Sequence, residues 1–303
     1  MILGIPVVDQ HELTKVLLDS LRDTIKSPDL FCAVIIDNAS ETAYNPEDYA
    51  DYPFKVDVIR NEENIGYYQP LRQIQEKYSQ ESGGFPWTEL IGLIHNDMVM
   101  YEHGWDDRMR DEFEKDVLLS LVGLCGSYEA DALGGRGGGT MCYFSGRSVQ
   151  VGDRQILAQD QAAGLRITDL RPSLILDSLF MMFRATSIPF LVHENEKWED
   201  ITLAHFYDRI WPLRLVEAGY HVATMGVECD HLGGMTSTGN ERYRADCIKF
   251  FGDRGLPFDN PETEMYLIAE RRFLGEYREQ KHFLPAEIGR DYAVINRSSQ
   301  YNA

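Results

Sequence analysis

Residues 90–97 read LIGLIHND: five residues without a polar side chain are followed at once by three polar ones. A short apolar run of this length, bounded by polar residues, is typical of a strand that is buried on both faces. The same pattern occurs twice upstream, at Ile2–Val8 and at Phe31–Ile36. The repetition predicts neighbouring strands whose polar carboxyl ends meet at one edge of a sheet.

Amphipathic segments separate these apolar runs. We expect helices over Glu12–Ile25 and Gln69–Tyr78 and a further strand over Lys55–Ile59. Strands that alternate with helices in this way predict an α/β fold with a mainly parallel central sheet flanked by helices. Further along the chain we expect helices at Trp105–Lys115 and His205–Ala218, strands at Val117–Cys125, Leu174–Arg184 and Tyr220–Val227, and helical stretches at Tyr243–Phe251 and Thr263–Lys281.

The composition limits the possible functions. The chain has 303 residues, 44% of them hydrophobic and 26% charged, which fits one globular catalytic domain with a C-terminal extension. Its formal net charge of −20 disfavours sequence-independent binding to nucleic acid or binding to an anionic membrane. An anionic ligand would need a local basic patch or a metal bridge, and the clustered carboxylates favour the metal.

The cysteines and the apolar runs predict the compartment. The five cysteines form no CxxC pair, and their odd number fits a reducing compartment, so we expect no disulfide partner. No stretch approaches the roughly 18 apolar residues that span a bilayer, so we expect no membrane span. The chain is expected to be cytoplasmic.

Two loops carry polar residues that could contact a nucleotide. Asp37 directly follows a strand, where its carboxylate could accept hydrogen bonds from a base or ribose, although a capping role is an equal alternative. Asn61, Asn64 and Gly66 lie between a strand and a helix. Read alone, that second segment is better explained as an ordinary turn.

The polar residues of the opening stretch suggest a metal site. Asp97 is the residue that we expect to bind Mn²⁺ or Mg²⁺, because hard cations favour carboxylate oxygens. A strand-ending turn capped by Asn96 is the alternative, and it would be preferred if the triplet stood alone. His231 follows the last predicted strand and could add an imidazole, although a lone histidine is more often structural.

A helix start offers a candidate for acid–base chemistry. His205 and Asp208 are separated by three positions, which places both on one face of the predicted helix. An aspartate at a helix start is usually a cap or a partner of the helix dipole, so the local pattern slightly favours that role.

Taken together and in this order, these segments resemble the family 2 glycosyltransferases, an inverting family with the GT-A fold. The resemblance covers about residues 2–255, which implies a nucleotide-binding half at 1–100 and an acceptor half at 101–255, with a helical extension at 256–303. It also implies nucleotide contacts from the opening strand, the Asp37 segment, the Asn-x-Gly turn and the polar triplet, namely Pro6, Val8, Asp37, Asn61, Asn64, Gly66 and Asn96.

The resemblance also assigns roles to the remaining candidates. The triplet at 95–97 resembles the family's metal-binding DxD segment in a variant form that retains only the last aspartate, Asp97. His231 matches a late histidine of the family, which implies a contact to metal or diphosphate. Asp208 matches the catalytic base, and its distance to Gly219-Tyr220 is better than that of the rival Asp200. Contacts to the acceptor, or accessory roles, fall to His205, Trp198 and Arg136.

The resemblance implies metal-dependent, inverting transfer of a sugar from a nucleotide-sugar to a hydroxyl group. We expect the donor to be a UDP-sugar. A nucleotidyltransferase is one alternative, but Pro6–Leu13 lacks the basic residues that it would need. A catalytically silent binding module is another, and the presence of both Asp208 and His231 argues against it. The acceptor stays open among a glycan, a small molecule, a protein and a modified DNA base.

Overall fold

The computed structural model describes residues 1–81, 90–127, 142–144, 147–152, 155–159, 167–192, 194, 196–201 and 207–232. The predicted extension at 256–303, its preceding helical stretch at 243–251, His205 and Arg136 lie outside the described residues.

The first 94 residues form four neighbouring parallel strands of the large sheet. Parallel pairing joins β1 to both β2 and β4, and joins β2 to β3. The predicted alternation of strands and helices is therefore confirmed. The elements are β1 (Ile2–Val7), α1 (His11–Thr24), β2 (Cys32–Asn38), β3 (Lys55–Asn61), α2 (Pro70–Glu81) and β4 (Leu90–Ile94), with short 3₁₀ helices at Pro28–Leu30 and Pro46–Tyr49.

The rest of the described chain extends this sheet and adds two small ones. Its elements are β5 (Met98–Met100), α3 (Trp105–Lys115), β6 (Leu119–Gly123), β7 (Cys125–Ser127), β8 (Cys142–Phe144), β9 (Arg147–Gly152), β10 (Gln155–Gln159), β11 (Leu170–Pro172), β12 (Ile175–Leu176), β13 (Phe180–Arg184), α4 (Tyr207–Glu217), β14 (His221–Met225) and β15 (Cys229–His231). Two more 3₁₀ helices lie at Ala185–Phe190 and Trp198–Asp200.

The large sheet has eight strands in the order β11-β14-β6-β13-β4-β1-β2-β3. Only β13 and β11 run against the other six strands, so the sheet is mainly parallel as expected. Gly92 of β4 permits the close approach of β13, because a Cβ atom there would stand 2.7 Å from the carbonyl oxygen of Met181. The small sheets have the orders β10-β9-β15-β5 and β12-β7-β8.

Two expected strands are each interrupted. The apolar run at Val117–Cys125 forms β6 and β7, which belong to different sheets. The run at Leu174–Arg184 forms β12 and β13 around a turn in which Asp177 Oδ1 accepts a hydrogen bond from the Leu179 amide, 3.2 Å away. A polar side chain that bonds its own backbone competes with the strand ladder, which explains the second break.

The core lies on both faces of the large sheet. On one face α1 and α3 pack their apolar residues, including Leu18 and Phe113, against alternate strand positions. On the other face α2 and α4 do the same with residues such as Leu71 and Leu213. Fully burying one such side chain contributes about 1.5–3 kcal/mol. Among the described helices, none combines the length and the apolar character that a bilayer crossing requires.

Candidate active site

Three side chains converge beyond the carboxyl end of β4. His95 and Asp97 lie in the turn between β4 and β5, and His231 is the last residue of β15. Because β15 pairs antiparallel with β5 and sets His231 opposite Met98, its imidazole lies next to Asp97. Asp97 Oδ1 lies 3.3 Å from His231 Nε2 and 3.8 Å from His95 Nδ1.

The cluster fits a divalent cation. One possible ligand atom from each of the three residues lies within 4.8 Å of the others. The Asp97 side chain is only 3% exposed. Within the described part of the chain, no group donates a well-formed hydrogen bond to its Oδ1. A buried carboxylate oxygen without a donor is costly, and a bound cation would satisfy it.

The two histidines respond differently to this environment. Burial acts to lower the pKa of His231, but the adjacent Asp97 carboxylate outweighs it and the pKa lies above its usual value. Burial also lowers the pKa of His95, and the more distant carboxylate does not offset it. Burial tends to raise the pKa of Asp97, yet His231 and His95 hold it below its usual value. The lowered pKa of His95 favours the neutral imidazole, the form that binds metal.

Sequence reasoning missed two features that enclose His95. The backbone amide of His95 donates to Leu179 O at 2.9 Å, and Tyr67 Oη donates to Ser178 O at 2.6 Å. The Tyr67 ring also packs edge-on against the imidazole, with 4.8 Å between centroids. The negative charge of Asp177 acts on both His95 and His231. The polar pair Asp177-Ser178 inside an otherwise apolar run was the signal that could have located this turn.

Asp37 lies at the end of β2 and is fully buried. Its Oδ1 accepts the Ser40 amide at 2.8 Å, while Oδ2 accepts the Tyr44 amide at 3.1 Å and Arg60 Nη1 at 2.5 Å. Burial tends to raise the pKa of Asp37, but these hydrogen bonds hold it below its usual value. The carboxylate therefore organises the loop at 37–44 and leaves Arg60, 40% exposed, at the same edge.

The predicted nucleotide-contacting amides form one hydrogen-bonded network. Asn61 Nδ2 donates to Asn38 Oδ1 at 2.9 Å, and Asn38 Nδ2 donates to Gly66 O at 2.9 Å. Asn64 Oδ1 accepts the Gly66 amide at 2.8 Å. Gly66 has φ = 84°, a left-handed conformation that glycine adopts without strain. The network fastens the loop after β3 to the end of β2.

The opening strand delivers Pro6 and Val8 to the same edge. Pro6 lies in β1 opposite Ile36 of β2, and Val8 is buried directly after the strand. Asn96 is also buried, and its Nδ2 donates to Gln10 Oε1 at 2.9 Å. The structure therefore brings all the described nucleotide candidates to the carboxyl ends of β1 to β4.

Asp208 is buried in the first turn of α4. A series of aromatic contacts leads from His95 to this helix. The Tyr67 ring packs on Tyr68 with centroids 5.1 Å apart, and Tyr68 in turn packs on Trp211 of α4 at 5.1 Å. Burial raises the pKa of both tyrosines, and the negative charge of Asp208 raises it further. Trp198 also packs on Trp211, with 5.8 Å between the ring centroids.

No protein-family model and no curated protein sequence matches this chain. Solved structures do match, among them a crystal structure of GalNAc-T7 with UDP, GalNAc and Mn²⁺, with a TM-score of 0.50 and 12% identity over 93% of this chain and 57% of that one. This chain thus spans little more than half of that protein. The match confirms the expected GT-A fold, a mainly parallel sheet flanked by helices.

Two further solved structures are similar to this chain. S. aureus TarS 1–349 has a TM-score of 0.45 and 11% identity over 93% of this chain and 73% of that one. The mannosyltransferase PcManGT from Pyrobaculum calidifontis, in complex with GDP-Man and Mn²⁺, has a TM-score of 0.48 and 12% identity over 99% of this chain and 79% of that one.

Proposed function

We propose that this chain is a metal-dependent glycosyltransferase that moves a sugar from a UDP-sugar to a hydroxyl group of an acceptor, with inversion at the sugar carbon. The observation that carries the proposal is the convergence of His95, Asp97 and His231 around a buried carboxylate oxygen at the carboxyl edge of a GT-A sheet. Ligands of open α/β sheets bind beyond this edge.

The cluster offers two imidazole nitrogens and one carboxylate to a cation. This donor set suits Mn²⁺ better than Mg²⁺, which prefers an all-oxygen environment. A cation held there would neutralise the charge that develops on the departing nucleoside diphosphate. This neutralisation matters because the chain carries a net charge of −20, which otherwise repels an anionic donor.

The nucleoside of the donor would lie along the ends of β1 to β3. The loop that Asp37 organises and the network around Asn61 are joined there through Asn38, so they form one continuous rim. Arg60 presents the partly exposed guanidinium of that rim, and its remaining N–H groups can donate to a base or ribose oxygen.

Asp208 would act as the general base. It removes the proton from the acceptor hydroxyl as that oxygen bonds to the anomeric carbon and the bond from this carbon to the diphosphate oxygen breaks. Attack from the face opposite the leaving group inverts the configuration. A positioned carboxylate base contributes about 10²–10⁴-fold when it lies within hydrogen-bond reach of the hydroxyl.

The test is donor turnover by the purified protein. We would incubate it with UDP-, GDP- and dTDP-sugars and Mn²⁺, measure nucleotide release, and read the anomeric configuration of the product by proton NMR. Release from a UDP-sugar that is lost with a chelator and in Asp97→Ala is expected. Nucleotide binding without turnover would instead indicate a silent module, and pyrophosphate release from a nucleoside triphosphate would indicate a nucleotidyltransferase.

A further inference from the structure

We propose that Gln10 is a positioning residue that fixes the metal-binding turn through Asn96. The role of that turn rests on the proposed function, whereas the contact itself does not. Gln10 precedes α1, and its Oε1 accepts a hydrogen bond from Asn96 Nδ2 at 2.9 Å. Asn96 is the residue between His95 and Asp97.

The Asn96 amide group is held by a second acceptor in the first turn of α1. Thr14 Oγ1 lies 3.4 Å from Asn96 Nδ2, and Thr14 is itself anchored by its backbone amide, which donates to Gln10 O at 3.1 Å. Asn96 is buried, so loss of these acceptors would leave its donors without partners or force the turn to move. Any such movement would displace Asp97, the next residue.

The backbone beneath Gln10 shows why a side chain is needed there. Asp9 and Gln10 both have φ = 57°, two consecutive left-handed residues that are not glycine. Residues with a Cβ rarely adopt this conformation, and glycine would form the same turn without strain. Such strain persists where the surrounding structure imposes it, and it concentrates at functional sites. The hydrogen bond to Asn96 is a function that glycine could not supply.

The turn at 9–10 also belongs to the nucleotide side of the site. The Asp9 amide donates to Ser40 Oγ at 2.8 Å, and Asp9 Oδ1 accepts the Glu41 amide at 2.7 Å. Ser40 is one of the residues that Asp37 holds. One strained turn therefore fixes the Asp37 loop through Asp9 and the metal-binding turn through Gln10.

The test compares Mn²⁺ affinity with folding stability in Gln10→Gly, Gln10→Ala and Gln10→Glu. In Gln10→Gly the strain is relieved but the acceptor is lost, so Mn²⁺ should bind about tenfold more weakly, as when groups behind metal ligands are removed, while the melting temperature does not fall. Gln10→Glu keeps an acceptor oxygen and should bind Mn²⁺ as the parent does. Ala39→Gly, a matched control with φ = 61° and no acceptor side chain, should leave Mn²⁺ affinity unchanged.

Parental Mn²⁺ affinity in Gln10→Gly would overturn the inference. A double-mutant cycle of Gln10→Ala and Asn96→Ala, measured by urea unfolding without metal, tests the contact separately and should show non-additive effects. Additive effects would overturn the inference whatever the metal does. A parent that binds no Mn²⁺ but shows coupling in the cycle would instead contradict the metal site of the proposed function.

Discussion

At the scale of single residues, burial and the two neighbouring histidines act in opposite directions on the pKa of Asp97. Its carboxylate is buried, and within the described residues Oδ1 receives no well-formed hydrogen bond, although His231 Nε2 lies 3.3 Å away. We expect Asp97→Asn to weaken Mn²⁺ binding by about 100-fold or more, since changes behind metal ligands already cost 10–100-fold. Calorimetric titration measures this loss, and circular dichroism should show an intact fold.

His231→Ala should weaken Mn²⁺ binding in the same experiment, because it removes a ligand atom of the cluster. The matched control is His103→Ala, which removes an exposed imidazole from the loop before α3. Equal Mn²⁺ affinities in these two variants would return His231 to a structural role.

Asp37 should make the stability of the fold depend on pH. Its pKa is lowered in the folded protein, so its contribution is present above the unfolded value of about 3.9 and is lost as the pH falls through the folded value. We expect Asp37→Asn to cost about 1–3 kcal/mol at pH 7, because buried donors lose their acceptor, and the difference from the parent to shrink below about pH 4. Urea unfolding across this pH range measures it.

Glu114→Gln, on the exposed surface of α3, serves as the control for Asp37→Asn. A surface substitution of this kind should change the free energy of unfolding by no more than about 0.5 kcal/mol, both at pH 7 and below about pH 4. A cost of Asp37→Asn that does not change with pH would mean that lost packing, and not the carboxylate charge, explains it.

At the scale of elements, α4 places Asp208 and can be tested through its first turn. Asp208→Asn keeps the size of the side chain but cannot take a proton, so we expect near-parental donor affinity and a transfer rate lower by about 10²-fold or more. If Asp208 were purely structural, the transfer rate would stay near that of the parent, because asparagine keeps the size and much of the hydrogen bonding of the side chain. Asp200→Asn, made in parallel, tests the rival base. Steady-state kinetics with donor and acceptor, measured for both variants, shows which aspartate the transfer rate depends on.

The same helix is fastened by a buried ion pair. Arg214 Nη1 lies 2.7 Å from Glu196 Oε2, and their side chains are 2% and 6% exposed. Arg214→Met should destabilise the fold by about 3–5 kcal/mol, because it breaks a buried ion pair by removing one partner. The double variant with Glu196→Met should recover most of this loss. Urea unfolding measures both.

The exposed pair of Arg22 and Asp19, 2.9 Å apart, provides the comparison for Arg214. Arg22→Met should cost no more than about 1 kcal/mol, because solvent screens a surface pair. A similar cost for Arg22→Met and Arg214→Met would show that burial does not set the strength of the Glu196 contact.

Element boundaries were predictable where the chain carries its own markers. The structure reproduces the predicted bounds of β4 and α3, Leu90–Ile94 and Trp105–Lys115, because polar residues delimit the first and helical periodicity defines the second. The strands β5 and β15 span three residues each, too few for any periodicity. The direction of β13 was also hidden, since a strand buried on both faces shows no alternation.

These limits carry over to the site. The sequence placed Asp97 and His231 in one metal site, and the structure brings them within 3.3 Å, although their role as ligands remains a proposal. It did not reveal Tyr67 or the turn at 177–179 as neighbours of His95. Their proximity depends on β13 lying antiparallel beside β4, which no local pattern encodes.

For the whole molecule, the net charge of −20 leads us to expect that binding of the proposed anionic donor requires the cation. We expect UDP and Mn²⁺ together, each at about 100 times its dissociation constant, to raise the free energy of unfolding by at least about 2.7 kcal/mol. UDP with a chelator should give no comparable increase. Thermal unfolding measures both, with ATP and Mn²⁺ as the nucleotide control. Equal stabilisation by UDP with and without Mn²⁺ would contradict a bridging metal.

The central position of β13 has a consequence for synthesis on the ribosome. The four parallel strands that end with β4 at Ile94 can associate as they emerge. In the described part of the chain, the other edge of β4 pairs with β13, which begins at Phe180. Because translation adds about 5–20 residues per second, this edge of β4 stays unpaired for on the order of 5–20 s before β13 is synthesised. An unpaired apolar strand edge is a template for aggregation. The nascent chain therefore has a window in which a chaperone would protect β4.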